Sequence, residues 1–294
     1  MVTSALIIDE SNTSAEKEFL FTEDNKIVWS ISFEQKQNFI KEYYDFILKD
    51  YIDGFYALKF NSDKIPTLEE INLSLQTTGW QVVYVDGYLH QNNYAELLSQ
   101  KIAPISRYIR SLVHLNYAPG PDMLHDIFGH LPMLFSQDYS NFLTSLGKVM
   151  IQTSANACEN QLYHLYVELA NSHEELGSNH IKTKEIESEI KKIEYDINKC
   201  PSVYTLLGRF FMWTAEFGIL LNHNNKFQMY GAGLLSSESE SIRFCKGQIK
   251  IVPLTPEAAK IAYDFSSFQN QYFFSNSFES LNESLKKLNE IYKN

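Results

Sequence analysis

Apolar residues recur at helical spacing over most of this chain, while strand-like alternation is confined to a few short stretches. From Ser32 to about Tyr56, Phe33, Phe39, Ile40, Tyr43, Tyr44, Phe46, Ile47, Tyr51 and Ile52 predict one amphipathic helix with a broad aromatic face turned to a core. In KIPTLEEINLSLQTTGW, Thr67 and Glu70 form a capping-box pair ahead of Ile71, Leu73 and Leu75, so a helix is expected over about 68–77. WQVVYVDGYL alternates and stops at Asp86-Gly87, which predicts a short strand running into a turn. NYAELLSQKIAPISRYIRSL predicts two short helices around Pro104. Residues 203–221 are almost wholly apolar and predict one buried helix, interrupted by Arg209 and Glu216. NKFQMYGAGLLSS predicts a strand and then a glycine-rich loop, GQIKIVPL another strand, and FESLNESLKKLNEIYKN a terminal helix. Residues 1 to about 28 carry no period and predict a weak strand or an irregular arm.

Between about 157 and 198 the chain turns rich in Glu, Lys, Asn and Ile. Leu162, Leu165, Leu169 and Leu176 precede a GSNH break, and Ile186, Ile190, Ile193 and Ile197 follow it at spacings of four, three and four. A helical hairpin is expected, too short to stand alone as a coiled coil, so it packs on itself, on the body or on a second subunit. Helices dominate, no strand–helix alternation or internal repeat is visible, and the class is mostly α with a few short strands.

Composition narrows the partners. With 294 residues, 44% of them hydrophobic, the chain can bury a core in one large domain or two small ones. A net charge of -11 and a pI near 5.2 argue against nucleic acid or an anionic membrane surface and leave small molecules as the expected partners. Cys158, Cys200 and Cys245 are too few and too scattered for a disulfide framework or a CxxC site, which suits the reduced thiols of a cytoplasmic protein. MVTSALIIDESNTSAEKEF lacks a basic start, and no uninterrupted apolar stretch approaches the roughly 18 residues of a membrane helix.

The candidate chemistry centres on PDMLHDIFGHLP, residues 121–132. In the zinc-protease pattern HExxH, two histidines four apart share a helical face. His125 and His130 are five apart, about 140° around a regular helix, and cannot share an ion there. Either a π-type widening of the turn or an end to the helix at Gly129 would restore convergence. Asp122, after Pro121, is expected as an acid of the first helical turn. Glu216 is the best third ligand, because an unpaired carboxylate amid FFMWTAEFGILL would cost several kcal/mol to bury. It must neutralise, pair with a cation or bind a metal. Arg209 shares its side of the helix but sits about 10 Å away by helical rise. Two imidazoles and a carboxylate serve both non-haem Fe(II) oxygenases and catalytic zinc, and residue types alone do not choose between them.

YAPGPDMLHDIFGHLP, WTAEFGI and YGAGLLSS, in that order, resemble the pterin-dependent aromatic amino acid hydroxylases, above all their short bacterial phenylalanine-hydroxylating members. IPTLEEIN…TTGW, YIR at 108–110, SSESES and FQNQYFFSNSF extend the likeness from about 28 to 290, the hairpin excepted. The resemblance implies a single catalytic domain over 28–294 behind an arm of 1–27, with the hairpin inserted at about 157–198. It implies Fe(II) and tetrahydropterin as cofactors, O2 as co-substrate, and hydroxylation of the ring of a free aromatic amino acid, phenylalanine to tyrosine first, with tryptophan or another aromatic as alternative. His125, His130 and Glu216 fall on the iron ligands. Arg110 falls on the arginine that holds the substrate carboxylate and Asp122 on the acid that orients it. Tyr117, Trp213 and Ser236 fall among the substrate-binding positions, Ser236 beside the first histidine, and Tyr94 and Asp126 on positions that face the pterin. Ala118 and the run Phe211-Met212-Trp213 depart from the family, which bears on substrate identity. Two readings compete: a non-catalytic interaction protein on the same fold, and a zinc hydrolase, which lacks a placed base. The hairpin offers a surface for self-association.

Overall fold

Helix α1 begins at a cap that periodicity does not reveal. Thr22 accepts the Asn25 amide while the Asn25 side chain accepts the Thr22 amide, and α1 runs Glu23–Glu42. It thus starts inside the expected arm and stops well before Tyr56. The computed structural model describes residues 21–115, 122–177, 179–263 and 268–292. Tyr117, Ala118 and residues 1–20 of the arm lie outside them.

The single helix expected over 32–56 is two, α1 and α2 (Lys49–Ala57). Tyr44 and Phe46 keep the apolar spacing but are exposed, and the chain leaves the helix there so that Leu48 N–H can reach the Met229 carbonyl at 2.9 Å. Helix α3 (Leu68–Leu75) has the Thr67–Glu70 capping box. Strand β1 (Gln81–Val85), helix α4 (Gln91–Ser99) and strand β2 (Ile102–Ser106) follow, with β1 and β2 parallel. The second helix expected around Pro104 is therefore a strand, and a strand–helix–strand unit exists after all. Proline is tolerated because the sheet has two strands and β2 keeps an open edge.

Helix α5 (Met123–His125) leads through a π turn, Asp126–His130, and a 3-10 turn, Leu131–Phe135, into α6 (Gln137–Met150). Helices α7 (Ala157–Leu176) and α8 (Ile181–Lys199) lie antiparallel, with Gln161 bonded to Glu189 and Ser172 to Thr183. They share a small apolar cluster of Leu165, Ile186 and Ile190, flanked by Leu162, Leu169 and Ile193, separate from the main core. Leu176 is exposed rather than in that seam. Helix α9 (Val203–Phe211) ends in a second π turn, Met212–Glu216. The long helix expected over 203–221 stops there, and Ile219–Leu221 is strand β3.

Strand β4 (Phe227–Met229) runs antiparallel to β3. The glycine-rich stretch after it is not a loop but helix α10 (Ala232–Ser236), followed by α11 (Glu238–Cys245). Strands β5 (Lys250–Pro253) and β6 (Gln271–Ser275) complete a sheet ordered β4-β3-β6-β5, and α12 (Phe278–Tyr292) follows. Trp29, Tyr51, Trp80, Tyr139, Phe142, Phe210 and Tyr272 anchor one main core between helices and sheet. Among the described residues no helix is long and apolar enough to cross a membrane.

Candidate metal centre and adjoining cavity

Asp122 starts the site as the N-cap of α5 rather than as a first-turn acid. Its Oδ1 accepts the His125 amide at 3.0 Å and Arg110 Nη2 at 2.7 Å, and its Oδ2 accepts Arg110 Nε at 2.7 Å and the Arg110 amide at 3.0 Å. The carboxylate is fully buried, and its bidentate bonds fix the guanidinium plane.

Of the two ways to bring His125 and His130 together, the chain uses the widened turn. The extra residue in Asp126–His130 brings the rings to 5.1 Å between centroids, edge to face. Tyr51 on α2 donates to the Phe128 carbonyl at 2.5 Å, satisfying an acceptor within the irregular turn. Gly129 does not end the helix. A Cβ there would stand 2.8 Å from the Ala232 carbonyl and 2.9 Å from its Cβ, so the glycine lets α10 lie directly on the turn.

Glu216 closes the second π turn, where the Phe217 amide reaches back to the Met212 carbonyl at 2.9 Å. Its Oε1 lies 3.1 Å from His130 Nε2 and its Oε2 3.4 Å from His125 Nε2. All three donor groups fall within 4.8 Å of one another. Ligand atoms about 2.1 Å from one ion and at right angles would be about 3 Å apart, so the two separations from Glu216 suit a shared metal. Arg209 does not compete, because Nη1 donates to the Lys260 carbonyl at 3.0 Å and Nη2 to Asn198. Ser236 Oγ meets His125 Nδ1 at 2.8 Å, which holds the ring with Nε2 toward Glu216.

Electrostatics agree with a cation site. Burial works against the Glu216 carboxylate, yet His130, His125 and the Gly233 amide outweigh it and hold its pKa down at about 2. Burial lowers His125 despite the attraction of Glu216. Burial also works against a charge on His130, but Glu216 overcomes it and the pKa is raised. A buried anion with two imidazoles and no lysine or arginine on it, among the described residues, is a donor set for a divalent ion.

Asp126 accepts the Ser106 amide at 2.7 Å and is pushed up to about 7 by burial. Tyr94 on α4 meets Phe211 edge to face at 5.3 Å, and its pKa is raised by burial and then by the charges of Glu216 and Asp126, so it belongs to the same neighbourhood. Trp213 is not joined to this cluster by any of its bonds or ring contacts among the described residues. Its indole N–H goes to the Ile261 carbonyl at 2.8 Å, and its ring packs on Phe217, Tyr263 and Phe273.

One group escapes sequence inspection. Lys36 lies on the buried face of α1, lines a cavity of about 40 Å³ with Arg110, Leu124, Phe128 and Ser236, and donates to the Leu235 carbonyl. The available signal is its place in the apolar stripe, three residues after Phe33 and three before Phe39.

The model of the biopterin-dependent aromatic amino acid hydroxylase family matches residues 14–206 and 202–294. Phenylalanine-4-hydroxylase of Chromobacterium violaceum is 26% identical over 236 residues, 79% of this chain and 64% of that protein. The chloroplastic phenylalanine 4-monooxygenase of Pinus taeda is 28% identical over 241 residues, 81% of this chain and 54% of that protein. The chain thus spans less than two thirds of these curated relatives. In fold it is similar to the apo phenylalanine hydroxylase of Colwellia psychrerythraea, at a TM-score of 0.71 and 22% identity over 95% of this chain and 91% of that one. The C. violaceum enzyme with bound iron(III) and 7,8-dihydrobiopterin aligns at a TM-score of 0.69 and 22% identity, over 91% of this chain and 81% of that one.

Proposed function

Because this chain belongs to the biopterin-dependent aromatic amino acid hydroxylases, we propose that it is an Fe(II)- and tetrahydropterin-dependent monooxygenase that hydroxylates the ring of a free aromatic amino acid, phenylalanine to tyrosine first. The observation that carries this reading is the convergence of two imidazoles on a buried carboxylate that no lysine or arginine neutralises, among the described residues. A second support is the Arg110 guanidinium, held by Asp122 at a cavity that Ser236 also lines.

Iron(II) and tetrahydropterin would together supply the reduction of O2 that oxygenates the ring. The chain's own residues bind and orient. His125 and His130 offer Nε2 and Glu216 its carboxylate, three protein donors that leave room for other ligands. Ser236 keeps His125 turned to the site, and Asp122 keeps the Arg110 fork aimed, which suits it to a substrate carboxylate. Leu124 and Phe128 line the same cavity with apolar surface beside that grip. Tyr94 and Asp126 flank the ligand trio and are assigned to the pterin. Tyr117 and Trp213 are assigned to the substrate on resemblance alone.

Three unpaired cysteines, two of them exposed, support a reducing, cytoplasmic setting. The acidic net charge of -11 supports small-molecule partners over nucleic acid. Exposed Leu176, Ile181 and Tyr195 on the hairpin support self-association there, which a change in oligomeric size on deleting residues 160–198 would test.

The deciding experiment supplies Fe(II), tetrahydropterin and O2 with a panel of aromatic amino acids and measures product mass. Tyrosine from phenylalanine is expected, with iron lost in His125→Ala and Glu216→Ala. Tetrahydropterin oxidation that responds to no aromatic amino acid would sink the reading.

A further inference from the structure

We propose that the Lys36 ammonium is a second substrate-binding cation, which takes the amino acid carboxylate together with Arg110 and supplies positive charge that the Arg110–Asp122 pair lacks. The inference rests on the function proposed above and names a group within its substrate site.

A charge count carries the argument. Arg110 bonds Asp122 through Nε and Nη2, both at 2.7 Å, so the buried pair is neutral as a unit. A carboxylate entering beside it would meet no net positive charge from the pair, and a carboxylate desolvated without one is costly in a low-dielectric site. Lys36 is 6% exposed and Arg110 7%, and both line the same cavity. Among the described residues no carboxylate lies within 4.0 Å of Lys36 Nζ. Its partners there are the Leu235 carbonyl and the face of Phe39, 4.9 Å from the ring centroid. A carbonyl takes one of three N–H donors and neutralises nothing. Glu238 lies on the cavity wall and attracts the ammonium, but its own side chain is exposed to water.

Size and position agree with the charge. About 40 Å³ is room for a carboxylate or a few waters. Ser236 lines this cavity and also bonds His125, so an amino acid whose carboxylate sits here has its side chain beside the metal ligands. Burial lowers the Lys36 pKa to about 8, with Glu238 opposing and Arg110 assisting, and the group remains mostly protonated at neutral pH.

The test compares phenylalanine with phenylalaninamide, which lacks the carboxylate charge, in anaerobic binding to the iron-loaded protein and in steady-state turnover. Two uncharged replacements, Lys36→Met and Lys36→Gln, guard against a folding artefact, and Lys36→Arg retains the charge. Phenylalanine affinity is expected to fall roughly tenfold or more in both uncharged variants, read as a higher KM with kcat nearly kept. Phenylalaninamide, a cation without a carboxylate, should bind the uncharged variants no more weakly than the wild type, and Lys36→Arg should retain most of the phenylalanine affinity. Unchanged phenylalanine affinity, or an equal loss for both ligands, overturns the assignment. A wild-type protein that binds no aromatic amino acid overturns the function itself, and this inference with it.

Discussion

At the residue scale, the two oxygens of Asp122 hold four donors, two from the Arg110 side chain and two backbone amides. Asp122→Asn can still cap α5, but it leaves the Arg110 charge buried and uncompensated. The expected cost is about 3–5 kcal/mol, read as a lower midpoint in urea unfolding, with phenylalanine KM raised alongside. Lys36 predicts the opposite sign. Its pKa falls from 10.5 unfolded to about 8 folded, so up to pH 8 burial of the charge opposes folding. As pH rises from 8 to 10.5 the folded state gives up the proton first and this group's contribution to stability increases. Lys36→Met should therefore be the more stable protein by up to about 3 kcal/mol at pH 7, with the gap closing toward pH 10.5, measured as the difference in unfolding free energy between the two chains. Residues of this kind differ in legibility. His125 and His130 stand out because they share one short motif, and Glu216 because a carboxylate occurs where burial penalises it. Lys36 is easily passed over because a lysine on an amphipathic helix ordinarily marks the solvent face, and its place between Phe33 and Phe39 gains its meaning from the packing of α1 against α10.

At the element scale, both ligand-bearing segments are helices widened by one residue, Asp126–His130 and Met212–Glu216. The first was legible as one of two alternatives, since five-residue spacing cannot work on a regular helix and calls for either a widened turn or an end at Gly129. The second was not, because one ligand gives no spacing to misfit and FFMWTAEF has the composition of an ordinary buried helix. Elsewhere local pattern lost to tertiary contact. Exposed Tyr44 and Phe46 continue the period of α1 after the helix has ended, and Pro104 suggests helix boundaries where an open sheet edge admits it. Gly231 and Gly233 suggest a loop, but both let α10 pack against Glu216, where a Cβ at Gly231 would stand 2.4 Å from the Glu216 carbonyl. The same closeness at Gly129 makes a prediction. Gly129→Ala must push α10 off the π turn, at about 1–3 kcal/mol. Because α10 carries Ser236, which holds His125, iron affinity should fall by about 10-fold or more, as competition against a chelator would read. Unchanged iron affinity in a destabilised protein would separate α10 packing from ligand orientation.

At the scale of the whole molecule, the ligands come from segments 86 residues apart, and the α7–α8 pair occupies much of that interval. An ion shared by His125, His130 and Glu216 ties α5 and its π turn to the end of α9, so metal binding is linked to the folding of the body. A ligand present at about 1,000 times its dissociation constant stabilises by about 4 kcal/mol, which in a chain of this size corresponds to a rise in Tm of roughly 5–10 °C. Fe(II) should produce that rise at neutral pH, Glu216→Ala should abolish it, and the rise should shrink as pH falls because imidazoles must shed protons to bind. The hairpin packs on its own cluster of Leu165, Ile186 and Ile190 and meets the body where the Tyr163 hydroxyl donates to the Tyr88 carbonyl and Asn198 accepts Arg209, whereas the ligands are braced by Tyr51, Ser236 and Gly233 in the body. Replacing residues 160–197 by a short linker, which keeps Asn198 on Arg209, should therefore leave the iron-dependent rise in Tm intact, even where it alters oligomeric size. If the rise disappeared with the hairpin in a variant that still folds, the site would depend on α7 and α8, and bracing from the body alone would be insufficient to hold the three ligands together.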